Sequence, residues 1–206
     1  FLPSFKKVSI VLTSSSSNKI QEAEDEIVQI LGVHVYSRTG DSLEKVVGKI
    51  MIQEKITLST CESCTAGKLS SMITSIDGSS AYYLGSLITY SDQIKSSLLK
   101  ISMDKILKYG SVSKEIAADM AIRTSDIMSS DISISITGIS GPNTDMTEKA
   151  VGTVFIAIKF FENIFVNEYK LDYDRESHRL ISCKIALNNL RLMLLNKWTD
   201  NNYKFK

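Results

Sequence analysis

ITLSTCESCTAGKLSSMITSI, residues 56–76, changes its period halfway along. Residues 56–60 read as a short strand. From about Thr65 the apolar side chains Ala66, Leu69, Met72, Ile73 and Ile76 recur at the three-and-four spacing of one helix face. A strand that runs through a tight turn straight into a helix is the building unit of an α/β sheet. The flanking sequence repeats this unit. Downstream, Asp77-Gly78 makes a turn, YLGSLITY (83–90) reads as a strand, and residues 93–108 read as helix. Ser113 caps a helix bearing Ile116, Met120 and Ile127, and SDISISIT (130–137) alternates as a strand. The loop GISGPNTDMTEKA (138–150) leads into a hairpin, GTVFIAIKF and IFVNEYKL, turning at Glu162-Asn163. Asp174 caps a last long helix striped with Leu180, Cys183, Leu187, Leu190 and Leu194.

Upstream, Asp41 and Glu44 form a capping pair for a helix with Leu43, Val46, Val47 and Ile50 on its stripe. Before that, Val8, Ile10 and Leu12 fall on one face of a strand, and Asn18 with Gln21 opens a helix carrying Ile20, Ala23, Ile27, Val28 and Leu31. Gly32 ends it, and VHVYS (33–37) reads as a second strand. The expected architecture is α/β: a three-layer sandwich with a mixed β-sheet flanked by helices, preceded by a small β-α-β module. The division is a connecting module over 1–39 and a main domain over 40–206.

Composition excludes several classes of function. The 206 residues carry a formal charge of +1, which gives no electrostatic footprint for nucleic acid or an anionic membrane. No apolar run approaches the roughly 18 residues of a membrane span. No targeting pattern opens the chain, and three cysteines make no disulfide framework, so the expected setting is cytoplasmic. A start on Phe1 without an initiator Met points to a processed chain or a piece of something longer.

Residues 56–76 offer several chemistries, and most of them fail on spacing. A phosphate loop needs a glycine at position 62 and a hydroxyl after Lys68, where Glu62 and Leu69 stand. Cys61 and Cys64 sit where a thioredoxin-type dithiol would. Such domains set a cis-proline opposite the pair, and only Pro3 and Pro142 exist, the latter in a Gly-rich loop. Zinc would need further ligands from Cys183, His34 and His178, none of which pairs with another at ligand spacing. The hydroxyls remain. Ser63 or Thr65 at a helix start can be a plain N-cap, or can stand beside free N–H groups that hold an oxyanion. A serine nucleophile needs a base, and neither His34 in the first unit nor His178 in the last helix is well placed for a Ser-His-Asp triad; a desolvated lysine is the other option.

Taken together, CESCTAG, DGSSAYYLGSLITYSDQIK, YGSVSKEIAADMA, ISITGISGP and EKAVGTVF resemble, in order and over about residues 43–197, the C-terminal domain of the CinA family. That family is related to the nicotinamide-nucleotide amidases, which hydrolyse nicotinamide mononucleotide (NMN) to nicotinate mononucleotide and ammonia. The resemblance implies Ser63 as nucleophile, Lys95 as general base and Tyr90 as its neighbour. It implies oxyanion donors at Thr65 and Ala66, a substrate loop at Thr137, Gly138 and Gly141, and a phosphate ligand at Arg175. No metal or other cofactor is implied, and the assembly would be a homodimer. Residues 1–39 resemble the connecting module of full-length CinA proteins, whose preceding domain is similar to molybdopterin-binding proteins. A nucleotide-binding module without turnover is the alternative function, and a Cys-x-x-Cys redox protein a further one.

Four positions depart from the family pattern. Asp92 stands for an asparagine three residues before Lys95, where a carboxylate raises a lysine's pKa. Tyr173 replaces a glycine, Ala150 a proline, and Ala66 a second glycine, the last of these reading as compatible with a helix start.

Overall fold

In the computed structural model, which describes residues 2–4, 7–144 and 149–196, the strand of the unit at 56–76 is an interior strand of the main sheet. The elements in chain order are β1 (Leu2–Ser4), β2 (Lys7–Ser9), α1 (Ser17–Leu31), α2 (Leu43–Glu54), β3 (Leu58–Glu62), α3 (Lys68–Thr74), β4 (Tyr83–Ile88) and α4 (Asp92–Leu99). They continue with α5 (Met103–Tyr109), α6 (Lys114–Met128), β5 (Ile132–Gly138), β6 (Thr153–Phe160), β7 (Asn163–Lys170) and α7 (Arg175–Leu194). The main sheet has the order β4-β3-β5-β6-β7; β3 runs parallel to β4 and β5, while β6 and β7 are antiparallel additions. It is the expected mixed sheet between helix layers.

Both faces of the sheet are covered. Along β5 the odd positions Ser133, Ser135 and Thr137 are as deeply buried as Ile132, Ile134 and Ile136. The isoleucines join the main core with Leu69, Ile73, Ile181, Leu187 and Leu190, from α3 and α7. The serine face receives α6, whose Ala117 carbonyl accepts from Ser135 Oγ at 2.6 Å. Small hydroxyl side chains there let a helix lie close, with Ser135 and Thr137 bonded to backbone carbonyls and Ser133 Oγ left without a partner. The alternation in SDISISIT therefore separates two buried faces, one oily and one polar, where inside-against-water is the usual meaning of such a pattern.

Several expected boundaries move. The stretch 93–108 is two helices: Lys100 takes a left-handed φ of 57° and Ser102 caps α5 by accepting from Lys105 N at 3.2 Å. The cap of α2 is Ser42, which accepts from Lys45 N; Asp41 instead pairs with Lys45 and Lys49 at 2.8 and 2.6 Å. The β6–β7 turn falls on Phe161 and Glu162, since Phe160 pairs with Asn163. Ser113 and Asp174 cap α6 and α7 as expected.

The β-α-β reading of residues 1–39 is corrected. β2 ends at Ser9 and pairs only with β1 as an antiparallel hairpin, so Ile10 and Leu12 lie outside it. VHVYS is not a strand: Gly32–His34 form a short 3-10 turn, closed by Val35 N–H on Gly32 O at 3.1 Å. The Val33 carbonyl accepts from Arg191 of α7 at 2.6 Å. With its backbone groups used this way, the segment adds no strand to either sheet. Helix α1 has Ser16 rather than Asn18 at its N-cap position, without a side-chain capping bond, and Gln21 reaches forward to Asp25 at 3.2 Å.

Candidate active site

The site begins where β3 ends. Ser63 N–H continues the sheet by donating to Ile136 O at 2.9 Å, and the chain then turns sharply over residues 63–67. Ala66 and Gly67 both take left-handed φ angles, 47° and 89°, so α3 starts only at Lys68. The sequence-based helix start at Thr65 is thus three residues early, and neither Ser63 nor Thr65 is its N-cap. Ala66 is also a costlier replacement than a helix start would make it, because a left-handed backbone favours glycine.

Two anchors hold this turn. Glu62, with no solvent exposure, places its carboxylate across the start of α3 and accepts from the N–H groups of Gly67, Leu69 and Ser70 at 2.9, 3.1 and 2.8 Å. Arg179 of α7 donates to the carbonyls of Cys64 and Thr65 at 3.0 and 2.8 Å. The helix start is therefore filled by the protein's own carboxylate and is closed to an oxyanion. Ala66 N–H is likewise engaged, with Ser63 O at 3.2 Å. Thr65 and Ala66, expected as oxyanion donors, do not line the cleft.

The other expected residues do meet. A cleft of about 450 Å³ is lined by Ser63, Tyr90, Lys95, Thr137, Gly138, Gly141 and Arg175, together with Cys64, Asp92 and Ser140. Lys95, on the inner face of α4 and only 1% exposed, brings Nζ to 3.5 Å from Ser63 Oγ and 3.4 Å from Tyr90 O. Asp92 Oδ1 lies 3.7 Å from the same Nζ and is also held by Ser111 Oγ. The lysine's pKa is pulled below its ordinary value by burial, with the Asp92 carboxylate opposing. Desolvation outweighs the neighbouring charge, so the expected upward shift from Asp92 is present but does not prevail.

Around the mouth, Arg175 at the start of α7 donates to Gly141 O at 2.8 Å and to Tyr90 OH at 3.4 Å. Tyr90 is 60% exposed, so its ring forms a wall of the entrance. Thr137 Oγ1 is turned away to Ser111 O at 2.9 Å. Gly138 is required by close packing: a Cβ there would lie 2.8 Å from Thr153 O. Tyr173 packs against the main core beside the Arg175 end of α7, and Ala150 O accepts from Thr153 N at 3.2 Å. Part of the expected substrate loop, residues 145–148, lies outside the described residues.

The cysteines do not form a dithiol site. Cys61 belongs to the cluster with Leu99 and Met120, and Cys64 to the main core on the other side of the sheet. Both thiols are free and buried, and burial raises them, Cys64 to about 11. A redox-active thiol needs the opposite shift. Pro142 does follow a cis peptide bond, so it is the thiols themselves that decide against the dithiol.

Sequence reasoning missed three site neighbours. Glu62 carried no signal beyond being a charged residue beside an expected turn, and Arg179 none beyond being a charged residue of the last helix. His178, set aside as a partner for Ser63, instead meets Ser140: Oγ to Nδ1 is 2.9 Å, and Nε2 faces Gly152 O at 3.2 Å. Nothing in the spacing of residues 140, 152 and 178 announces that meeting.

A model of the CinA C-terminal domain matches residues 40–194. Among curated relatives, a CinA-like protein of Prochlorococcus marinus (strain MIT 9515) is 40% identical over 185 residues, covering 88% of this chain and 43% of its own length. A CinA-like protein of Geobacter sp. (strain M21) is 32% identical over 197 residues, 95% of this chain and 48% of that one. The chain thus spans less than half the length of these relatives. A solved structure of a CinA superfamily protein from Enterobacter cloacae aligns with TM-score 0.72 at 28% identity, covering 74% of this chain and 90% of that one. The competence/damage inducible protein CihA from Agrobacterium tumefaciens aligns with TM-score 0.68 at 29% identity, covering 76% and 97%.

Proposed function

The chain belongs to the CinA family through its C-terminal domain, and on that premise we propose that it is a nicotinamide-nucleotide amidase, hydrolysing NMN to nicotinate mononucleotide and ammonia. The observation that carries this reading is the buried Lys95 amine 3.5 Å from the Ser63 hydroxyl on the wall of a nucleotide-sized cleft. Ser63 Oγ attacks the carboxamide carbon while Lys95, neutral in its reactive form, takes the hydroxyl proton. The resulting ammonium protonates the amide nitrogen, the C–N bond breaks and ammonia leaves. Water then attacks the ester carbon, gives its proton to Lys95, and the acid departs as the serine is restored. The oxyanion falls to the N–H of Cys64, which follows the nucleophile directly and borders the cleft. Arg175, exposed at the rim, would leave Gly141 O and Tyr90 to take the phosphate.

Residues 1–39, whose hairpin stays apart from the main sheet, serve in this reading as a connecting module ahead of the 40–206 amidase domain. A cytoplasmic homodimer is the setting the reading implies. The direct test is ammonia release from NMN, nicotinamide and glutamine side by side, with NMN expected to be the preferred substrate. Release from glutamine alone would contradict it.

Asp92 favours a second reading, a nucleotide-binding module without turnover, because its carboxylate stabilises the protonated lysine. Both readings meet in the pH dependence. A base must lose its proton to act, so kcat/KM should rise with pH through the Lys95 pKa. Asp92→Asn removes the opposing charge, and that limb should move to lower pH with a higher rate near neutrality. An unmoved limb would show that another group limits the reaction. A stabilising shift in Tm on adding NMN, with no ammonia formed by either protein, would favour the binding module.

A further inference from the structure

We propose that Ser140 is the residue by which the cleft tells an amide from an acid, because its hydroxyl proton is committed to His178 and only its oxygen lone pairs face the ligand. The choice of ligand group rests on the amidase reading; the hydrogen-bond direction does not. A backbone carbonyl can only accept, so the His178 nitrogen 3.2 Å from Gly152 O, Nε2, carries the ring hydrogen. The ring is wholly buried, and burial lowers its pKa, which keeps it neutral. Nδ1 is then bare, and the Ser140 hydroxyl 2.9 Å away must donate to it. A serine oxygen so fixed has no hydrogen left for the cleft that it lines.

Ser140 lines the cleft together with Ser63 and with Cys64, the residue next to it. A ligand group meeting this oxygen must bring a hydrogen. A carboxamide NH₂ does so, whereas a carboxylate or phosphate oxygen would face lone pair to lone pair. The anionic end of the ligand is then left to Arg175, which lines the same cleft. The same device releases the product, since hydrolysis exchanges the donor NH₂ for an anionic oxygen that Ser140 repels. Ser140 acts here as a positioning and selecting residue and needs no bond to the reacting carbon.

The test separates this inference from the amidase reading by measuring binding rather than turnover. In Ser63→Ala protein, which cannot complete the reaction in the proposed mechanism, calorimetry should find NMN bound more tightly than nicotinate mononucleotide. Adding Ser140→Ala should shrink that preference by roughly 10-fold or more, by tightening the acid as well as weakening the amide. His178→Phe, which frees the serine hydroxyl to rotate, should shrink it too, while Ser140→Thr should keep most of it. Nitrogen-resolved NMR of the full chain should find the His178 hydrogen on Nε2. A preference unchanged by Ser140→Ala, or a hydrogen on Nδ1, overturns the proposal. A preference that depends on Ser140 in a protein that never releases ammonia from NMN supports the proposal and sinks the amidase reading instead.

Discussion

Lys95→Ala is expected to lower ammonia release from NMN by roughly 10²- to 10⁴-fold near neutral pH, the usual span for loss of a positioned general base. No other titratable side chain lies as close to Ser63 Oγ among the hydrogen bonds of the described residues, and the nearest histidine has both nitrogens occupied by Ser140 and Gly152. The loss should appear in kcat rather than KM, because Lys95 lies behind Ser63 with only 1% of its surface exposed. It should not come from unfolding. An amine whose pKa falls on folding binds its proton more weakly in the native state, so native stability rises with pH between the folded-state pKa and the ordinary lysine value. Below that window the buried charge costs stability. Lys95→Met should therefore keep or raise Tm at neutral pH while remaining inactive, and it should flatten the rise in stability toward alkaline pH. A Lys95→Met protein that retained activity would remove the lysine from the mechanism. Adding Ser63→Ala to Lys95→Ala should cost little more than either change alone, since groups acting as one unit do not add.

Glu62→Ala is expected to destabilise the fold by about 3–5 kcal/mol, measured by urea or thermal unfolding. The carboxylate accepts three backbone N–H groups at the start of α3, and truncation to a methyl leaves those donors facing a buried void. Glu62→Gln should cost less, because the amide oxygen still accepts at least one of the three. The cost should also reach the chemistry. The turn carrying Ser63 is held between Glu62 on one side and Arg179 on the other, and loosening it separates the hydroxyl from Lys95. A Glu62→Ala protein as stable as the parent would mean that α3 is capped by other groups.

The fold was legible where the period was long and the punctuation clear. Ser113 and Asp174 cap their helices as read, and the run from Thr153 to Lys170 is a hairpin within one residue of its expected turn. Legibility failed where tertiary contacts outvote local pattern. VHVYS has the composition of a strand, but its carbonyl at Val33 is claimed by Arg191 from the far end of the chain. Residues 93–108 keep a helical stripe through a break at Lys100 that only the left-handed backbone reveals. At the site, the resemblance brought Ser63, Tyr90, Lys95, Thr137, Gly138, Gly141 and Arg175 to one cleft, which their spacing alone could not do. It misjudged Thr65 and Ala66, because the helix start they were assigned to is occupied by Glu62. The Ser140–His178 contact was invisible for a simpler reason: it joins a loop to a helix 38 positions later, and neither residue carries a local mark of the other.

In the proposed mechanism turnover depends on a serine made nucleophilic by a desolvated amine, and the most direct measurement is NMN hydrolysis by Ser63→Ala. The expected result is a folded protein with parental Tm that still binds NMN and releases ammonia at no more than a trace of the parental rate. Ammonia release at the parental rate from that variant would contradict the serine's role and the mechanism built on it.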